Sequence, residues 1–118
     1  MNRTFQFAAL GLMSLVLAVT HARADQGATA QTNNEQIVGI QNFAFTPAEL
    51  EVPVGTRVTW VNQDSTVHSV VSKDKGFASS PGLDTGDKYS YVFTKAGSYA
   101  YYCSLHPFML GKIVVTDK

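Results

Sequence analysis

The chain has little of what most functional assignments lean on. It carries one cysteine, Cys103, in 118 residues, so it cannot form an intramolecular disulfide. Its formal charge is zero and it has no run of Lys or Arg. That excludes a phosphate-tracking nucleic-acid surface and an electrostatic membrane patch. Glycine-rich phosphate loops, helical hydrophobic periods and internal repeats are absent. Long apolar runs are absent too, except for one near the start.

That one run reads as a leader. "MNR" precedes "TFQFAALGLMSLVLAVT" and "HARAD": a basic stretch, an apolar core and a small-residue site at Ala22-Arg23-Ala24. The pattern predicts a secretory signal peptide over residues 1–24, cleaved after Ala24. The apolar core from Phe7 to Val19, interrupted by Ser14, is shorter than the roughly 20 residues a membrane span needs. Cleavage leaves about 94 residues, enough for one small domain. It shifts the formal charge from zero to −2, because Arg3 and Arg23 leave and no acid does. His21, Met1 and Met13 leave as well, so the exported chain holds two histidines, His68 and His106, with Cys103 and Met109. An unpaired thiol in an oxidising compartment needs a reason: inert burial, pairing with another chain, or a metal.

Residues 25–35, "DQGATAQTNNE", are small and polar and predict a flexible segment. A domain at 36–118 follows. "QIVGIQNFAF" reads as one β-prone stretch ending at Thr46-Pro47, and "RVTWVN" alternates with Val58 and Trp60 on one face. "KYSYVFT" groups Tyr89, Tyr91 and Phe93, and "SYAYYC" groups Tyr99, Tyr101 and Cys103. Residues 73–87, rich in Gly, Pro, Ser and Asp, read as loop. About seven short strands with turn signals every 8–12 residues predict an all-β fold, an antiparallel Greek-key β-sandwich.

Taken singly, the four scarce residues are unremarked: Cys103 suits a small buried hydrophobe, His68 a structural histidine and Met109 core filler. Taken together they form a ligand set. Two imidazoles and a thiolate make a trigonal group, and a thioether is a weak axial donor, the set associated with blue-copper electron-transfer sites. Zinc also accepts Cys and two His but has no use for a thioether, so Met109 favours copper. Cys103, His106 and Met109 stand three apart in one loop, while His68 comes from a distant strand. A copper chaperone or storage protein is the alternative, though such proteins favour Met-rich or Cys-x-x-Cys sites. An enzyme built on a Cys–His nucleophile lacks a third orienting residue.

"YYCSLHPFMLGKIVV" resembles the C-terminal motif of the amicyanins, small cupredoxins near plastocyanin and pseudoazurin, whose pattern is Cys-x-x-His-Pro-Phe-Met followed by Gly-Lys-x-Val-Val. The resemblance runs back through "ELEVPVGTRVTWVNQDSTVHSVV" and covers roughly residues 37–118. It implies an eight-stranded sandwich and one type 1 copper held by His68, Cys103, His106 and Met109. It also implies single-electron shuttling in the periplasm, with partners such as a dehydrogenase, methylamine dehydrogenase among them, or a c-type cytochrome. A monomer without a membrane span is expected. Pro107, Phe108 and Leu110 are the expected partner surface around the His106 edge.

Two positions depart from the family pattern. Ser69 stands where an Asn usually pins the ligand loop, so that tie is either lost or replaced through Ser104. Leu105 stands where the amicyanins have Pro, and its backbone N–H is a candidate donor to the Cys103 sulfur.

Overall fold

The computed structural model describes residues 34–118. The expected leader and all but the end of the 25–35 segment lie outside the described residues. Eight strands follow one another: β1 (Glu35–Gln41), β2 (Ala44–Thr46), β3 (Glu49–Pro53), β4 (Thr56–Asn62), β5 (Val71–Ser72), β6 (Lys88–Phe93), β7 (Gly97–Tyr102) and β8 (Leu110–Thr116). They form two four-stranded sheets, β2-β1-β4-β6 and β3-β8-β7-β5. The all-β sandwich is therefore as expected, but not purely antiparallel. β1 pairs with β4, and β3 with β8, in parallel. The cause is connectivity: after the β1–β2 hairpin the chain crosses to the other sheet as β3 and returns as β4, beside β1 and in the same direction. Alternation shows which face of a strand is buried, but not which way its neighbour runs.

The stretch 36–45, read as one strand, breaks at Asn42-Phe43. Gln41 pairs with Ala44 across a two-residue turn in which Asn42 and Phe43 have φ of 53° and 55°. Such primed turns normally advertise themselves with Asn-Gly. Here the second residue is Phe, so the local sequence hides the turn.

The core lies between the sheets. Val38 and Ile40 of β1, Val58 and Trp60 of β4, Tyr101 of β7 and Ile113 of β8 are fully buried. Trp60 is at its centre, edge-on to Tyr101 at 5.4 Å and near Phe93 at 6.4 Å. Residues 73–87 contain no regular strand, yet they are not superficial. Phe77 is 4 % exposed and stacks on Trp60 at 5.8 Å with the rings 9° apart. Tyr101 pairs across the ladder with Gly111, and its ring fills the space a Cβ on Gly111 would need. Gly111 is thus a close-approach glycine that lets Tyr101 lie flat two residues before Cys103.

Candidate metal centre

The protein holds His68 through both its backbone and its ring. Its backbone N–H donates to Leu83 O at 3.1 Å and its carbonyl accepts from Leu83 N–H at 2.7 Å, an isolated bridge between two loops. The loop leading to it is anchored by Asn62 at the end of β4, whose buried amide donates to Thr66 O at 2.9 Å and Leu83 O at 2.8 Å. Asn62 Oδ1 in turn accepts the Asp64 N–H at 2.9 Å. The Asp64 carboxylate reaches back to His68 Nε2 at 2.8 Å. With Nε2 engaged by a carboxylate it carries the proton, which leaves Nδ1 as the lone-pair atom facing inward.

The other candidate ligands come from the β7–β8 connection. Cys103 follows the last residue of β7, and Met109 precedes the first of β8. The Cys103 N–H donates to Met109 O at 3.2 Å, His106 N–H to Cys103 O at 3.3 Å and Met109 N–H to His106 O at 2.8 Å. Two successive tight turns close the loop, with Cys103 and Met109 at its base. Both side chains are buried, at 0 % and 2 % exposed, and both belong to the core cluster.

The result is a converging donor set. His68, Cys103 and His106 offer three ligand atoms that all lie within 4.8 Å of one another. Each imidazole Nδ1 is 3.7 Å from Cys103 Sγ. Metal–nitrogen and metal–sulfur bonds of about 2.0–2.3 Å at trigonal to tetrahedral angles separate the two donors by roughly 3.6–3.8 Å, so the spacing fits one metal ion. The thiol chemistry fits as well. Burial pushes the Cys103 pKa up, but the Ser69 N–H, the His106 and His68 rings and the Leu105 N–H outweigh it and bring the pKa down to about 6. A soft thiolate beside two imidazoles suits copper.

Ser69 and Ser104 make the tie that the usual Asn would make. Ser69 N–H donates to Cys103 Sγ at 3.3 Å. Ser69 Oγ accepts the Ser104 N–H at 2.9 Å and lies 2.8 Å from Ser104 Oγ. A hydroxyl has two acceptor sites and one proton. If Ser104 Oγ–H donates to Ser69, the Ser69 proton is available to the sulfur, 3.8 Å away. The His68 loop and the Cys103 loop are thereby stitched together directly. Leu105 N–H favours the thiolate, although the backbone donor within bonding distance of sulfur is Ser69.

Around His106, which is half-buried, the surface is apolar. Leu105, Phe108 and Leu110 are 55 %, 70 % and 52 % exposed, and Pro107 is exposed beside them. Phe108 points outward and does not pack into the end of the sandwich. Three contributors were missed by sequence reasoning: Asn62, Asp64 and Phe43. The signal for Asp64 was its position four residues before His68. Phe43 gave none, because its contact with the site depends on the hidden turn. Its ring is edge-on to His68 at 5.3 Å and to His106 at 5.0 Å.

Comparison with known proteins agrees with this geometry. The chain matches the cupredoxin-like domain family over residues 7–115. It is 41 % identical over 83 residues to amicyanin from Paracoccus denitrificans, covering 67 % of this chain and 63 % of that one. The chain thus spans a little under two thirds of that relative's length. Among solved structures it resembles a purple cupredoxin from Nitrosopumilus maritimus, at 38 % identity and a TM-score of 0.63, over 68 % of this chain and 98 % of the other. An oxidised variant of amicyanin superposes with a TM-score of 0.66 at 36 % identity, over 70 % of this chain and 83 % of the other. With its eight-stranded sandwich and its converging Cys–His–His cluster, this chain belongs to the cupredoxin-like family.

Proposed function

We propose that this is an exported blue copper protein that passes single electrons between larger redox proteins, its copper held by His68, Cys103, His106 and Met109. The observation that carries the reading is the pair of Nδ1 atoms, each 3.7 Å from one buried thiol. Copper bound there would supply one-electron exchange between Cu(I) and Cu(II). The residues supply everything else. Cys103 offers a thiolate pre-stabilised by the Ser69 N–H. His68 holds its donor atom fixed through Asp64 and Leu83. Met109, buried at the foot of the loop, would add its thioether as a fourth, weaker donor. The Ser69–Ser104 contact ties the His68 and Cys103 loops together, and donors held this way would need little rearrangement when an electron arrives.

His106 is the electron exit. It is the ligand whose ring edge approaches solvent, inside the apolar rim of Leu105, Pro107, Phe108 and Leu110. Redox encounters are small and weak, so a modest apolar patch suffices for docking. The amicyanin-like motif "YYCSLHPFMLGKIVV" implies partners such as a dehydrogenase and a c-type cytochrome. The leader-like stretch at 1–24 supports export to the periplasm. Among the described residues no helix is long and apolar enough to cross a membrane.

Replacing the sulfur tests the reading. Cys103→Ser is expected to abolish the intense red-region absorption of the copper-loaded protein and its reversible one-electron voltammetry. A variant that keeps both overturns the assignment. A parent protein that binds Cu(II) without colour indicates a metal-delivery role instead.

A further inference from the structure

A phenylalanine with φ of 55° is an unfavourable choice for a two-residue turn. Bulky residues seldom enter the left-handed region, and Gly is the usual occupant of that position. The conformation persists because the turn is clamped from outside. Asp64 Oδ1 accepts the Asn42 N–H at 2.7 Å, and Oδ2 accepts the Phe43 N–H at 3.0 Å. The same Oδ2 lies 2.8 Å from His68 Nε2. One carboxylate, 12 % exposed, therefore ties the β1–β2 hairpin tip to a candidate metal ligand.

The clamp fixes the position of the Phe43 ring. It lies edge-on to both imidazoles, at 5.3 and 5.0 Å. Phe43 is 43 % exposed, whereas His68 beside it is fully buried. A smaller residue would suit the turn better and would leave that side of the two imidazoles open.

We propose that Asp64 and Phe43 form a cap over the metal centre: Asp64 is a positioning residue that holds the hairpin tip and the His68 ring together, and the Phe43 ring shields His68 and slows metal loss. The proposal rests on the copper reading of this site. Where groups behind a metal ligand have this role, removing them typically costs about 10–100-fold in metal affinity.

Two variants and two measurements test it. Amide hydrogen exchange at Asn42 and Phe43, followed by NMR in the metal-free protein, reads the clamp without copper. Asp64→Asn removes the charge and one acceptor, and is expected to speed exchange at both amides by roughly tenfold or more. The second measurement is the rate of copper transfer to a copper(I)-selective chelator. Phe43→Gly and Asp64→Asn are each expected to speed it by roughly tenfold or more, while Phe43→Tyr keeps the parent rate. Phe43→Gly suits the turn, so its thermal midpoint stays at or above the parent's, and faster transfer then reports loss of the cap rather than of the fold. A Phe43→Gly protein that loses copper at the parent rate overturns the cap, and unchanged amide exchange in Asp64→Asn overturns the clamp. If the parent binds no copper, the copper reading fails and the cap with it; amide exchange still decides whether Asp64 clamps the hairpin.

Discussion

His68 and His106 present the same atom to the same sulfur, each Nδ1 3.7 Å from Cys103 Sγ, from opposite circumstances. His68 is fully buried, held by Leu83 through its backbone and by Asp64 through Nε2. His106 is half-buried, and among the described residues its Nε2 meets no hydrogen-bond partner. It owes its position to a loop only seven residues long from Cys103 to Met109. The difference separates two tasks. On the proposed copper reading, the buried imidazole sets the geometry and the other connects the centre to the surface. A site with two locked imidazoles would have no exit, and one with two exposed imidazoles would drift.

Removing each ring in turn breaks the comparison most sharply. His106→Gly opens a gap toward solvent, so added imidazole is expected to restore the copper absorption. His68→Gly leaves a gap roofed by Phe43 and strands the Asp64 carboxylate, so imidazole should not restore it. The second variant is also expected to lose about 1–3 kcal/mol of stability, read by denaturant titration. Equal rescue in both variants would dissolve the distinction.

A smaller effect isolates the scaffold behind His68. Asn62→Ala removes two buried amide donors, leaves the Thr66 and Leu83 carbonyls without them, and frees the Asp64 N–H. The expected loss is about 1–3 kcal/mol. The His68 resonances of the metal-free protein should broaden while those of His106 stay put, and NMR checks both.

The smallest effect concerns the thiolate on the His106 side. Leu105→Pro deletes a backbone N–H that favours the charged sulfur. Loss of about 1 kcal/mol of preference for the more negative Cu(I) state corresponds to a fall in reduction potential of roughly 40 mV for one electron. Voltammetry measures it directly, and an unchanged or higher potential would count against a role for that N–H.

Much of this is legible in the sequence alone. Cys103, His106 and Met109 stand three apart, so one short loop brings them close, and the scarcity of His, Cys and Met in residues 25–118 singles out His68. Strand alternation placed Trp60, Tyr101 and Cys103 on buried faces, where the structure has them. What stayed hidden depends on partners remote in sequence. Asn42-Phe43 lacks the Gly that marks a primed turn, because a carboxylate 21–22 residues away holds it. Phe77 sits in a polar, Gly- and Ser-rich segment whose local composition says loop, yet Trp60 supplies an apolar surface for it. The Ser69–Ser104 tie was half visible: the missing Asn was plain, but whether two hydroxyls could meet depended on how the loops pack.

The central claim is that one copper ion sits among a buried thiolate, two imidazoles and a thioether. Titration of the metal-free protein with Cu(II), followed by visible absorption, tests it most directly. The account predicts an intense red-region band that grows linearly and stops at one equivalent. A colourless Cu(II) complex, or a band unaffected by Cys103→Ser, would contradict it.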